Sequence, residues 1–122
     1  MRGPSPGSYL RGCASNEILR GVLDTVVSSD AERQRSAAVG RALADPKRLC
    51  VLESLADGEL SVSDLATRVE CQVPNMSQHL AVLRSAGLVS TRRMGNTIFY
   101  RLTDERVLEA YRLIQTIART GS

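Results

Sequence analysis

One stretch constrains this chain more than any other: ELSVSDLATRVECQVPNMSQHLAVLRSAGLVSTRRMGNTIFYRLTD, residues 59–104. Ser61 followed by Asp64 sets an N-cap with an acidic group three residues on, where it meets unpaired backbone N–H groups. Leu65, Ala66 and Val69 then recur at helical spacing, so a short helix is predicted. Pro74 suits the first position of a second helix, because the N–H it lacks is not needed there. Met76, Leu80 and Leu83 make one apolar stripe along that helix before Gly87 stops it, leaving Ser77, Gln78 and His79 mostly off the stripe. Residues 88–92 and 97–102 are rich in β-branched and aromatic side chains, and Met94, Gly95 and Asn96 between them supply a turn.

Helix, turn, helix and hairpin in that order predict a mainly α chain with a small β-hairpin, a winged helix-turn-helix. Such a module inserts its second helix into the DNA major groove. Charge points the same way. The whole chain carries 16 Lys and Arg against 13 Asp and Glu, a net of only +3. Between Cys71 and Thr103, however, stand Arg84, Arg92, Arg93 and Arg101 with no Asp or Glu. A local surplus of this kind is the footprint of phosphate contacts. The alternative is that Arg92 and Arg93 only keep an exposed hairpin soluble. On this reading Asn75, Ser77, Gln78 and His79 meet base edges or nearby phosphates, Arg92 and Arg93 follow the backbone or minor groove, and Arg84 and Asn96 are further DNA contacts.

The flanks predict further helices. Residues 1–12 hold two prolines and three glycines and read as an arm. Ile18, Leu19, Val22, Leu23, Val26 and Val27 fall on one helical face. Ser29 and Glu32 form a capping box for a helix bearing Ala37, Ala38 and Leu43. Asp45 and Pro46 open another, with the stripe Leu49, Leu52 and Leu55. After the hairpin, Asp104 begins a last helix with Val107, Ala110, Tyr111, Leu113, Ile114, Ile117 and Ala118. Its apolar face is wider than one small domain needs, and with the face from Ile18 to Val27 it forms an expected dimer surface. The alternative is that both fold back on their own subunit. The expected organisation is therefore residues 1–30 as arm and dimerisation helix, 31–103 as the winged helix-turn-helix, and 104–122 as a C-terminal dimerisation helix.

A chain of 122 residues with one Phe and no Trp buries a modest core, which dimerisation would enlarge. No stretch approaches the roughly 20 apolar residues of a membrane span, and the N-terminus has no continuous apolar segment of a secretory signal. The cytoplasm is the expected compartment. Three cysteines, spread far apart, argue against a disulfide framework.

The segments GRALADPKRLCVLESL, ELSVSDLA, MSQHLAVLRSAGLV and RRMGNTIFYRL, spanning Gly40 to Leu102, resemble the ArsR/SmtB family of small winged-helix repressors. The resemblance implies a homodimer whose recognition helices, here residues 74–86, enter successive major grooves of an imperfect palindrome in double-stranded DNA. It also implies release of that DNA when an inducer binds.

The family's sensor positions are altered here. Many metalloregulators of this kind carry cysteines in ELCVCDLA, where this chain has Ser61 and Ser63, and serine is a poor ligand for soft metals. A second family site holds zinc on the last helix. Asp104 matches its first position, but Arg106, Thr116, Ile117 and Thr120 stand where imidazoles and a carboxylate would lie. The sole histidine, His79, reads as a DNA or backbone contact rather than a metal ligand. Of the thiols, Cys71 reads as core packing. Cys13 and Cys50 are the sensing candidates, able to bind arsenite or another soft metal ion, or to form a disulfide or persulfide bridge, if the fold brings them together. Persulfide-sensing relatives place one thiol on the Cys50 helix, nearer Glu53, and the partner on the last helix, which here has none.

No nucleophile with a spaced base, glycine-rich phosphate loop or carboxylate pair suggests an enzyme. The expected function is a DNA-binding repressor released through cysteine thiols. The rivals are a winged-helix protein-interaction module and a regulator with no thiol-dependent effector.

Overall fold

The computed structural model of the chain describes residues 27–121. Cys13, the arm and the helix expected over residues 15–27, apart from Val27, lie outside them. Helix α1 (Asp30–Ala42) begins at the expected capping box: the Ser29 Oγ accepts from the Glu32 N–H at 3.2 Å, and the Glu32 carboxylate accepts from the Ser29 N–H at 3.0 Å. Helix α2 (Pro46–Ser54) is capped by Asp45, which accepts from the N–H groups of Lys47 and Arg48. A 3₁₀ turn, Leu55–Asp57, leads through Gly58 to strand β1 (Leu60–Ser61). Helices α3 (Val62–Val69) and α4 (Val73–Ser85) follow, then β2 (Val89–Met94), β3 (Thr97–Leu102) and α5 (Arg106–Thr120).

The two central helices form for the reasons legible in the letters. Ser61 and Asp64 make a reciprocal capping box on α3. Its C-cap, Glu70, takes a left-handed conformation at φ 58°, and Lys47 of α2 donates through Nζ to the carbonyls of Val69 (2.8 Å) and Glu70 (3.3 Å), satisfying the helix end. Helix α4 starts at Val73, so Pro74 stands at its second position rather than the first. Gly87, at φ 81°, ends the segment as expected. Met76, Leu80 and Leu83 are all fully buried and meet Leu65, Val51 and Leu52 in one core. Each such side chain contributes about 1.5–3 kcal/mol by leaving water.

Three expectations need correction. On α2 and the 3₁₀ turn after it the buried stripe is Val51, Leu52 and Leu55, with Leu49 only half-buried, because the core lies further round the helix. On α1 it is Ala42 that is buried while Ala37 is exposed. The hairpin is the edge of a three-stranded antiparallel sheet in the order β1-β3-β2, since Leu60 pairs with Tyr100 and Ser61 with Phe99. Its turn is two residues, Gly95 and Asn96, because Met94 pairs directly with Thr97. Gly95 has φ 62° and Asn96 does not share the positive sign, a turn that matches the twist of paired strands and needs glycine first.

Helix α5 starts at Arg106, with Asp104 accepting from its N–H at 2.7 Å. Tyr111 is the buried residue of this helix, and its hydroxyl donates to the Glu53 carboxylate on α2. That hydrogen bond, with burial and the charge of Glu53 behind it, raises the phenol above its ordinary value, and the nearby Cys50 adds to the effect. A raised pKa means the stabilisation is complete below the unfolded value of 10.0 and is lost as pH rises through the folded one. Tyr111→Phe should lower stability by about 1 kcal/mol near neutrality, read from urea midpoints, with the gap to the parent closing in alkali. By contrast Leu113, Ile114 and Ile117 of the same helix are exposed, at 66%, 42% and 68%. Among the described residues no helix is long and apolar enough to cross a membrane.

Candidate nucleic-acid interface

Helices α2 and α3 have side-chain caps on their first N–H groups; α4 has none. Its N-cap, Gln72, makes no capping bond, and Gln72, Val73, Pro74 and Asn75 are all exposed. Open N–H groups at the positive end of a helix dipole suit a phosphate oxygen. The apolar stripe turns Met76, Leu80 and Leu83 inward, so Asn75, Ser77, Gln78 and Arg84 are turned out to solvent. Arg84, in the last turn, has no ion-pair partner among the described residues.

Strand register decides what the wing presents. Thr91 faces Tyr100 and Arg93 faces Ile98 across the β2–β3 ladder, whereas Arg92 faces Phe99 and Ser90 faces Arg101. Opposed residues share a face of the sheet and consecutive ones alternate, so Arg92 and Arg93 point to opposite sides. Arg93 is on the side of Ile98 and Tyr100, and its Nε donates to the Gly95 carbonyl at 3.3 Å. A shallow groove between the wing and α4 is lined by Ser63, Ser77, Asn96, Ile98 and Tyr100, with no carboxylate among its lining residues.

Arg92 departs from expectation. Its guanidinium holds the Glu59 carboxylate through Nε at 2.9 Å and NH2 at 2.6 Å, and lies 5.8 Å from the centre of the Phe99 ring. The hydrogen bond from Arg92 pulls the Glu59 carboxyl below the usual range, and Arg101 adds to it. The charge surplus of residues 71–103 is thus partly neutralised by an acid from outside that segment. Arg101 is drawn to the same face, with its Nε 3.3 Å from the Ser90 Oγ. Arg93→Ala should therefore reduce the salt dependence of DNA binding by about 0.9 in log–log slope, and Arg92→Ala should leave it nearly unchanged. Equal slopes for the two variants would show that the Glu59 pair opens on DNA.

His79 is half-buried rather than exposed with its neighbours, because Arg48 of α2 reaches it: NH1 lies 3.3 Å from Nδ1. Arg48 and Glu59 carry no local signal in the sequence, because their partners stand 31 and 33 residues away.

At the sensor positions, Ser61 is occupied as a helix cap and the Ser63 carbonyl accepts from Thr67. Asp104 is held by Arg106 at 3.0 Å, and Thr116 and Thr120 donate to backbone carbonyls of their own helix. No group of three or more His, Cys, Asp or Glu converges among the described residues. Cys50 and Cys71 are half-buried free thiols packed against the core.

The sequence model described as "Bacterial regulatory protein, arsR family" matches residues 45–91, from the α2 cap into β2. The HTH-type transcriptional regulator KmtR of Mycobacterium tuberculosis is 59% identical over 69 residues, 57% of this chain and 53% of that protein. The chain thus spans about half the length of that relative. A transcriptional repressor SmtB homolog of Synechocystis is 41% identical over 96 residues, covering 79% of this chain and 72% of the homolog. Among solved structures, the homodimeric winged helix-turn-helix DNA-binding domain of Mb0332 from Mycobacterium bovis superposes with a TM-score of 0.69 at 37% identity, over 77% of this chain and 90% of that one. A match of this extent to fold, helix pair and wing together leaves one assignment: the chain belongs to the ArsR/SmtB family of winged-helix transcriptional regulators.

Proposed function

We propose that the chain is a sequence-specific repressor that binds an imperfect palindrome as a homodimer and leaves it when an inducer reacts with its thiols. The observation that carries the DNA half is the uncapped, exposed start of α4, followed one turn on by Ser77 at the groove this helix shares with the wing. The helix N-terminus and Arg93 bind phosphate, while Asn75, Ser77 and Gln78 read base edges. Support for the dimer comes from the exposed Leu113, Ile114 and Ile117 of α5 and from the homodimeric Mb0332 domain. Gln78→Ala should relax base preference at one position of each half-site by about 1–3 kcal/mol, measured by competition between the selected duplex and single-base variants. Unchanged discrimination at every position would remove Gln78 from the reading set.

The inducer half rests on ligand chemistry. With serines at 61 and 63 and an arginine on Asp104, the soft donors left are thiols, which favour arsenite, another soft metal ion or sulfur transfer. Cys13 and Cys50 are the proposed pair. Cys13→Ser and Cys50→Ser should each keep operator binding and lose release by arsenite or persulfide, whereas micromolar zinc should leave the parent on DNA. Release of the double variant by the same agents would exclude the pair.

A further inference from the structure

Arg48 joins three helices. From α2 its Nε donates to the Ala42 carbonyl at 2.7 Å and its NH2 to the Arg41 carbonyl at 3.0 Å, closing the end of α1. Its remaining nitrogen, NH1, lies 3.3 Å from Nδ1 of His79 on α4 and 3.8 Å from the Asp45 carboxylate. An arginine guanidinium carries only donors and keeps its charge at all accessible pH. The imidazole nitrogen facing it must therefore be the bare, accepting one. In a neutral imidazole the proton then sits on Nε2.

Nε2 has no hydrogen-bond partner among the described residues, and no side-chain nitrogen or oxygen there is both buried and unpartnered. This nitrogen accordingly reaches solvent. It does so from the turn of α4 that carries Asn75 and Gln78, at positions four and one residues earlier on the helix proposed to enter the groove. We infer that Arg48 is a positioning residue that fixes His79 as the Nε2–H tautomer, so that the recognition helix presents a hydrogen-bond donor to an acceptor on DNA. The acceptor is a base-edge oxygen or nitrogen, or a phosphate oxygen. The DNA half of this inference rests on the proposed function; the tautomer half does not.

Because His79 is the chain's one histidine, its tautomer can be read without assignment. Long-range proton–nitrogen NMR of the full chain, labelled with [15N]histidine at pH 8 and free of DNA, should show Nε2 protonated and Nδ1 bare. An Nδ1-protonated ring overturns the inference. Two substitutions separate the nitrogens on DNA. Asparagine places an oxygen near the Nδ1 position, and glutamine places an N–H near the Nε2 position. His79→Asn should keep the thermal midpoint of the parent and lose about fivefold to tenfold in operator affinity, the worth of one hydrogen bond. His79→Gln should stay within about threefold of the parent. Loss by His79→Asn on the selected duplex alone identifies a base edge as the acceptor, and equal loss on a scrambled duplex identifies phosphate. Parent affinity in His79→Asn, or equal loss in both variants, overturns the donor role. A parent chain that prefers no duplex overturns the repressor proposal and the DNA half together, while the NMR result still stands on the free protein.

Discussion

Leu113→Glu should leave the chain monomeric and lower its operator affinity by about 10²–10⁴-fold, the advantage that linking two half-site contacts confers. Leu113 is 66% exposed on α5, next to Ile114 and one turn from Ile117, and none of the described residues covers this apolar face. In a symmetric pair the same face meets its own copy, and a glutamate there brings two charges into one dry seam. The variant should fold as well as the parent, because Leu113 lies outside the core. Sedimentation velocity together with a titration on the palindrome checks both halves. An intact dimer would exclude this face as the seam.

The second large effect lies under the recognition helix. Leu80→Ala should cost about 2–5 kcal/mol, read from the urea midpoint. Leu80 is fully buried with Leu52, Leu65, Met76 and Leu83, and removing its branched end leaves a cavity where α4 rests on the other helices. DNA binding should fall with the folded fraction. A loss under about 1 kcal/mol would mean the core closes over the gap.

What the letters disclosed divides by distance along the chain. The Ser61 and Asp64 capping box, the Met76, Leu80 and Leu83 stripe and the Gly87 stop are set within a turn or two of backbone, and each stands where its residues suggest. Strand β1 escaped notice because two residues carry no period; Leu60 and Ser61 become a strand only through Tyr100 and Phe99. The α2 stripe slipped from Leu49 to Val51 because Leu49, Cys50, Val51 and Leu52 are apolar in a row, and so short a run does not fix which face turns inward. The interface divides in the same way. Asn75, Ser77 and Gln78 are exposed because their helix neighbours are buried, a local rule. Arg92 and His79 are claimed by Glu59 and Arg48, and only the tertiary fold brings those partners within reach. Cys13 lies outside the described residues, so the proposed thiol pair rests on chemistry alone.

Whether α4 and the wing read duplex DNA is decided by selection from a random duplex library followed by a salt titration. The selected duplex should be a near-palindrome with half-sites about 34–36 Å apart, bound at least about 10³-fold tighter than a scrambled duplex, with affinity falling steeply in salt. Equal affinity for selected and scrambled duplexes, or binding indifferent to salt, would contradict DNA reading by α4 and the wing.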